Sequence, residues 1–435
     1  MTRKMKDSGI EWIGEIPEEW SIGKVKFATK KIGSGKTPKG GSDVYSNQGV
    51  LFIRSQNVYD SGLILDECCY VSDEIDNDMK STRVFYDDVL LNITGGSIGR
   101  CCRYTIKDKH ANVNQHVCII RTYKDKIISK FMYYLWISKV GKISIDIYQS
   151  GSNREGMNFE QIGNTLIPYL PIEEQKQITN YLDYKCSKID ETIQKEKQVI
   201  EKLKQYKQSL ITEAVTKGLN PNVKMKDSGV EWIGEIPYGW DIRRLKSIGE
   251  AIIGLTYSPN EVADEGVLVL RSSNIKNAKL VFEDNVYVDR IKDIREKIFI
   301  KKGDILICSR NGSRSLIGKN TLINDEMKET TFGAFMTVYR SKHNNFIYYI
   351  LNSTIFSYHI GTFLTSTINQ LTTGNLNNIK IAFPPIEEQK QIADYLDKKC
   401  ASIDKAILNK EKLIEKLTEY KKSLIYECVT GKREV

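Results

Sequence analysis

Apolar residues recur at three- and four-residue intervals over two long stretches of the chain. The first stripe, within 175–215, is Ile178, Leu182, Cys186, Ile189, Ile193, Ile200, Leu203, Leu210 and Ala214, with Glu196 and Lys207 filling the same register. The second is Ile392, Leu396, Cys400, Ile403, Ile407, Ile414, Leu417, Leu424 and Cys428, with Lys410 and Lys421 in register. This spacing is the heptad seam of a coiled coil. No Gly or Pro interrupts either run. Each follows a Pro and a Glu-Glu pair, which suit the positive end of a helix dipole, and Gly218 and Gly431 supply the stops. At about 1.5 Å per residue each helix is predicted to be roughly 60 Å long. So narrow a stripe needs a partner. The other stripe of the same chain is the obvious one, and a pseudo-twofold relation would set the two antiparallel.

Between these stripes the pattern changes. Residues 84–93, 117–121, 267–270 and 305–308 are β-branched runs of strand length, punctuated by Gly- and Ser-rich loops. Short helices are predicted at 129–140 and 345–358. The expected fold class is α+β: two mixed α/β domains separated by two long helices that form an antiparallel coiled coil. The predicted divisions are 1–170 and 220–384 for the domains, and 171–219 and 385–435 for the helices.

The chain also repeats itself. Residues 5–17 return almost unchanged at 225–237, an offset of 220, and Trp20 is matched by Trp240. The eight residues from Pro171 are identical to those from Pro385, an offset of 214. Between the matches only echoes survive. Arg54, Ser55 and Asn57 resemble Arg271, Ser272 and Asn274, and Asp88 and Val89 resemble Asp304 and Ile305. A framework that stayed alike around inserts that drifted apart suggests two inserts with the same task on different targets.

Composition narrows the class. A chain of 435 residues exceeds one compact core. No apolar stretch approaches the roughly 20 residues of a membrane span, and the first residues lack an apolar signal core, so a soluble cytoplasmic protein is expected. The nine cysteines show no C-x-x-C spacing and do not cluster with His as zinc ligands do, so buried reduced thiols and no metal site are expected. The net charge of +9 is concentrated in the inserts, +3 over residues 1–170 and +4 over 220–384, which permits a polyanion partner.

Candidate binding residues fall in three loops of the first insert and two of the second. Gly33, Ser34, Gly35, Lys36 and Thr37 look like a phosphate loop, but Lys30 stands where that motif needs its first Gly, and the copied region lacks the Lys. With Lys39, Lys36 would instead touch nucleic-acid phosphates or sit on a plain surface turn. Arg100 and Arg103, and in the second insert Arg310, Asn311 and Arg314, lie in flexible loops after strands, where Arg can read guanine through two hydrogen bonds. Asn153 and Arg154, and in the second insert Asn369 and Gln370, lie in loops before the long helices, where Asn and Gln suit adenine. Solvated turns and polar connectors are the plain alternatives. The four histidines form no shared motif with carboxylates or Cys and read as structural, the four tryptophans of the twin segments read as core anchors, and no catalytic motif is present.

The paired helix starts, the twin openings, and the Leu-Ile-Thr-Glu-Ala-Val-Thr-Lys-Gly ending at 210–218, echoed at 424–431, resemble the specificity subunit of type I restriction–modification systems over essentially the whole chain. The resemblance implies a target-recognition domain for each half of a split double-stranded DNA site, with the coiled coil setting the gap. It implies two docked methyltransferase subunits that modify adenine and two restriction–translocase subunits. It assigns S-adenosylmethionine, ATP and Mg²⁺ to those partners and no catalysis to this chain. Two other readings compete: a coiled-coil scaffold whose inserts bind protein, and a nucleotide-hydrolysing enzyme using residues 33–37. Shortening both long helices by one turn is expected to change the permitted gap between half-sites while leaving their sequences alone. An unaltered gap in sites selected from a duplex library would reject the spacing role.

Overall fold

The computed structural model describes residues 3–149, 156–289, 294–363 and 369–435. Two compact units form: Met1–Glu196 with Lys412–Val435, and Lys197–Glu411. Each unit therefore contains one insert, one half of each long helix and one twin segment.

In the first unit the strand Val89–Asn92 is buried along its whole length. Its period-2 alternation sends Val89 and Leu91 into one core and Leu90 into another. The neighbouring strand Val117–Thr122 divides in the same way, with Cys118 and Ile120 on one face and Val117 and Ile119 on the other. These strands form an antiparallel sheet in the order 101–103, 89–92, 117–122, 29–34. A second sheet runs 69–71, 50–53, 111–113, 83–84, with 50–53 parallel to 111–113. The second unit repeats the antiparallel sheet and the central parallel pair of the mixed one, whose edge strands differ. The antiparallel one is ordered 250–253, 336–340, 305–308, 320–322, and the mixed one pairs 267–270 in parallel with 330–332.

The echoes found in the sequence are structural clamps. Asp88 and Asp304 are buried, and each accepts two hydrogen bonds from an Arg of the adjacent strand, Arg121 (2.8 and 2.7 Å) and Arg340 (2.7 and 2.6 Å). Asn57 and Asn274 are equally buried. Each accepts from the backbone N–H of the preceding Arg, Arg54 at 3.0 Å and Arg271 at 2.9 Å, and donates to a carbonyl seven residues on. Both satisfy polar groups that the core would otherwise strand.

Three expected elements differ in detail. Residues 84–93, expected as one strand, are two strands of different sheets, Arg83–Val84 and Val89–Asn92. The Asp88 carboxylate accepts the Phe85 N–H at 2.8 Å and turns the chain between them, with Asp87 at φ 79°. The expected helix at 129–140 is a pair, Ser129–Ile137 and Lys139–Gln149, and that at 345–358 is also a pair, Asn344–Ile350 and Thr354–Phe363. Ser138 breaks the first by donating to the Leu135 carbonyl at 2.7 Å and accepting from the Val140 N–H. Ser353 donates likewise to Ile350.

The long helices run Ile172–Lys217 and Ile386–Val429. In the first unit Ile178, Leu182, Cys186 and Ile189 pack into one core with Leu424, Ile425, Cys428 and Val429. In the second, Ile211, Ala214 and Val215 share a core with Ile392, Leu396 and Cys400. Lys421 pairs with Asp190 at 2.6 Å in one unit and Lys207 with Asp404 at 2.7 Å in the other, so the chain directions oppose in each. Such half-exposed pairs contribute about 0–1 kcal/mol each and mark register more than stability. Of the expected seam, Leu182, Ile189, Ile200, Leu396, Ile403 and Leu424 are buried, and Ile193, Leu203, Leu210, Ile407, Ile414 and Leu417 half-buried.

The helix starts tie the framework to the inserts. Glu174 and Glu388 each accept the indole N–H of the twin segment's tryptophan, Trp20 or Trp240, at 2.9 Å. The next residue is a buried glutamine. Gln175 accepts from the Ile128 N–H and donates to the Lys126 and Leu170 carbonyls. Gln389 donates to the Pro384 carbonyl and its amide oxygen meets His343 Nδ1 at 2.8 Å. Trp20 and Trp240 are core anchors, whereas Trp232 stays 40% exposed with His359 against its ring. The helix ends close the same contacts, since Gly431 (φ 71°) lies so near Pro17 that a Cβ would come within 2.4 Å of its ring.

All nine cysteines are free thiols, and all but Cys68 are buried. Burial pushes Cys102 and Cys118 up to about 12 and Cys186 and Cys400 to about 11, so they behave as small apolar groups. Among the described residues no helix is long and apolar enough to cross a membrane, and no cluster of His, Cys, Asp and Glu has the arrangement of a metal site.

Replacing Gln175 or Gln389 by Met keeps the side-chain volume but strands buried backbone groups. Each substitution is expected to lower stability by about 1–3 kcal/mol in denaturant titration. Unchanged midpoints would show that these amides do not hold the inserts to the helices.

Candidate nucleic-acid interface

In both units the loops that carry candidate residues leave the same ends of the two sheets, and backbone hydrogen bonds lock them together. In the second unit Leu255 N–H donates to Phe332, Gly333 to Leu270, Ser309 and Arg310 to Phe335, and Leu371 to Ser309. Arg310 also bridges to Gln370. The first unit uses equivalent bonds, with Asn114 donating to Ile53, Ile93 to His116 and Met157 to Ile93, and a bridge between Thr94 and Gly156. Gly35 and Gly254 let the loops approach. A Cβ on Gly35 would meet the Val113 carbonyl oxygen at 1.6 Å, and one on Gly254 would meet that of Phe332 at 2.2 Å. The phosphate-loop reading of 33–37 is thereby accounted for: Gly33 and Ser34 are strand residues, and Gly35 is closed off by the Val113 carbonyl.

The second unit holds a groove of about 1010 Å³ at this end, walled by Leu255, Tyr257, Val262 and Phe335 and edged by Arg310, Asn311 and Asn369. Three sequence-predicted residues from two loops thus meet in one concavity. Arg310 is exposed, its guanidinium 5.2 Å from the centroid of the Phe335 ring. Asn311 donates to Ser272 Oγ at 3.1 Å and accepts from the Ser313 N–H, while Asn369 donates to the Gly312 carbonyl at 3.3 Å. Gln370 is half-buried at the bridge. Arg314 is exposed but turned to the Gly361 carbonyl at 3.2 Å.

In the first unit Lys36 and Lys39 are exposed on the loop after Gly35. Arg100 lies over the Tyr59 ring at 4.5 Å. Arg103 is on a strand and clamped to Asp87, which occupies its guanidinium within the fold. Asn153 and Arg154 fall outside the described residues.

The turn between the last two strands, 114–116 and 333–335, was missed by sequence reasoning. Its residues differ between the copies, so no repeat betrayed it. In the first unit it carries a chain of side-chain hydrogen bonds. Thr37 donates to Gln115 Oε1 at 2.6 Å, the Gln115 amide meets His116 Nε2 at 3.0 Å, and His116 Nδ1 meets Thr94 Oγ1 at 2.5 Å. Both ring nitrogens of His116 therefore have a partner, and the Thr94 hydroxyl ends the chain. In the second unit Phe335 and Arg310 hold the places of His116 and Thr94. One sheet end therefore presents a hydroxyl bonded to an imidazole and the other a cation beside an aromatic ring.

Comparison with known proteins fits this duplicated architecture. The type I restriction modification DNA specificity domain matches residues 17–205 and again 237–419. The type I restriction enzyme MjaVIII specificity subunit of Methanocaldococcus jannaschii is 28% identical over 323 residues, 72% of each chain. Among solved structures, a chain from the study titled "Structural basis underlying complex assembly and conformational transition of the type I R-M system" shares the fold with a TM-score of 0.74 at 15% identity, covering 96% of this chain and 99% of that one. The crystal structure of the HsdS subunit from Thermoanaerobacter tengcongensis matches with a TM-score of 0.52 at 14% identity, over 96% and 98%. With most of both inserts and of both long helices inside the matched regions, this chain belongs to the family of type I restriction–modification DNA specificity subunits.

Proposed function

We propose that each unit reads one half of a split DNA sequence through the loop-lined end of its two sheets, and that the chain itself performs no chemistry. On this reading two methyltransferase and two restriction–translocase subunits dock on it, and S-adenosylmethionine, ATP and Mg²⁺ are used by them. The observation that carries the reading is the pair of equivalent sheet ends. Their backbones are held by matching hydrogen bonds, yet their tips carry Thr94 and His116 in one unit and Arg310 and Phe335 in the other. Duplicated scaffolding with divergent tips is what two half-sites of different sequence require. The 33–37 segment supports no separate nucleotide-hydrolysing role, because its glycine packs under a carbonyl rather than cradling a phosphate.

The test is methylome sequencing of cells with and without the gene. A split motif methylated on both strands is expected to vanish on deletion, and an unchanged methylome would reject the proposal. In purified form, affinity for duplex DNA is expected to fall steeply with salt, because phosphate contacts release bound counterions. A flat salt response would favour inserts that bind protein.

Exposed and clamped basic residues should then separate. Lys36→Ala is expected to weaken binding to all duplexes alike and to reduce the slope of log affinity against log salt by about 1. Arg103→Ala is expected to leave that slope alone and lower stability by about 1–3 kcal/mol, since Asp87 loses its partner. Equal effects of the two on the slope would contradict the assignment.

A further inference from the structure

We propose that Arg310, laid on the ring of Phe335, reads a guanine in the half-site held by the second unit. The inference rests on the reading of each unit as a half-site reader, and it assigns both the base and the residue that positions its reader.

Three observations carry it. The backbone of Arg310 is fixed on both sides, by its N–H bond to the Phe335 carbonyl at 3.0 Å and by its bridge to Gln370. Its guanidinium carbon lies 5.2 Å from the Phe335 ring centroid, within the range of a cation–π contact. Phe335 is itself 60% exposed, so the cation is presented at the surface of the groove rather than withdrawn into the core. Among the described residues no carboxylate pairs with Arg310. Asp284, which also lines the groove, is taken by Arg271 at 3.0 Å.

A cation–π contact uses the guanidinium's charge and not its N–H donors, which stay available to a ligand. Their fork fits two acceptors side by side, and on base edges the matching pair is guanine O6 and N7 in the major groove. Tyr257, Val262 and Phe335 give the groove apolar walls beside it, so a base edge seated there would displace water and strengthen a charge-assisted bond. In the first unit the same positions are Thr94 and His116, bonded to each other, so that half-site meets a hydroxyl at the corresponding place instead of an arginine. Phe335 is thus a positioning residue that acts through Arg310.

The test is selection of bound sites from a randomised duplex library with the full chain, for the wild type and for Arg310→Gln, Phe335→Tyr and Phe335→Leu. The wild-type motif is expected to contain a guanine that Arg310→Gln abolishes, with affinity for the guanine-containing site falling on the order of ten- to a hundredfold. The other half-site stays unchanged, which also reports that the variant is folded. Phe335→Tyr is expected to keep the guanine preference, whereas Phe335→Leu weakens it. Even weakening by Arg310→Gln on every duplex, with the motif intact, would make Arg310 a phosphate contact and overturn the proposal. Full guanine preference in Phe335→Leu would overturn the positioning role. A wild-type chain with no preference among duplexes would overturn both the inference and the half-site reading beneath it.

Discussion

A buried primary amide has no water to turn to, and in this protein two such amides decide where the inserts attach. Gln175 and Gln389 follow the paired glutamates at the starts of the long helices, and each bonds to backbone just before it and to the insert it serves. The preceding Glu174 and Glu388 hold the indoles of Trp20 and Trp240. Within a span of two residues, then, one helix start captures an insert and a twin segment together. An unmet buried amide costs about 1–3 kcal/mol, so this geometry is hard to relax, and its duplication gives both units the same internal plan.

The residues that secure the sheets and the loops that carry the candidate residues lie on different parts of each unit. The sheets are secured by residues that face inward and recur in both copies: the Asp88–Arg121 and Asp304–Arg340 clamps, and the Asn57 and Asn274 caps. The sheet ends are secured by main-chain bonds instead. Because backbone groups do not depend on side-chain identity, the tips can change without disturbing what holds them. Thr94 can become Arg310 and His116 can become Phe335 while the N–H and carbonyl partners stay the same. This is the physical basis on which a duplicated framework tolerates different tips.

The candidate residues divided along the same line. Arg310, Asn311 and Asn369 met in one groove because their loops follow strands whose ends converge. Arg103 did not stand free, because a positive-φ turn brings Asp87 beside it, and nothing in the local sequence signals that Arg103 and Asp87 face each other. Gln115 and Phe335 escaped notice, and His116 read as structural, for the opposite reason. They lie in a short turn with no motif, and only the pairing of the flanking strands with distant ones carries that turn to the site. The run at 84–93 was read as one strand because its apolar residues are continuous, whereas a single aspartate side chain folds it into two sheets.

The sequence by itself determined the two long helices, their seam, the twin segments and the duplication, because each rests on periodicity or identity that survives without knowledge of distant contacts. It also showed that whatever the inserts do, they do twice. Tertiary structure alone decided which side chains share a sheet end, which arginines are clamped by carboxylates and which are offered outward. Those outcomes depend on strand pairings between residues far apart in the chain, and a side chain's chemistry at a site is set by the neighbours that such pairings bring.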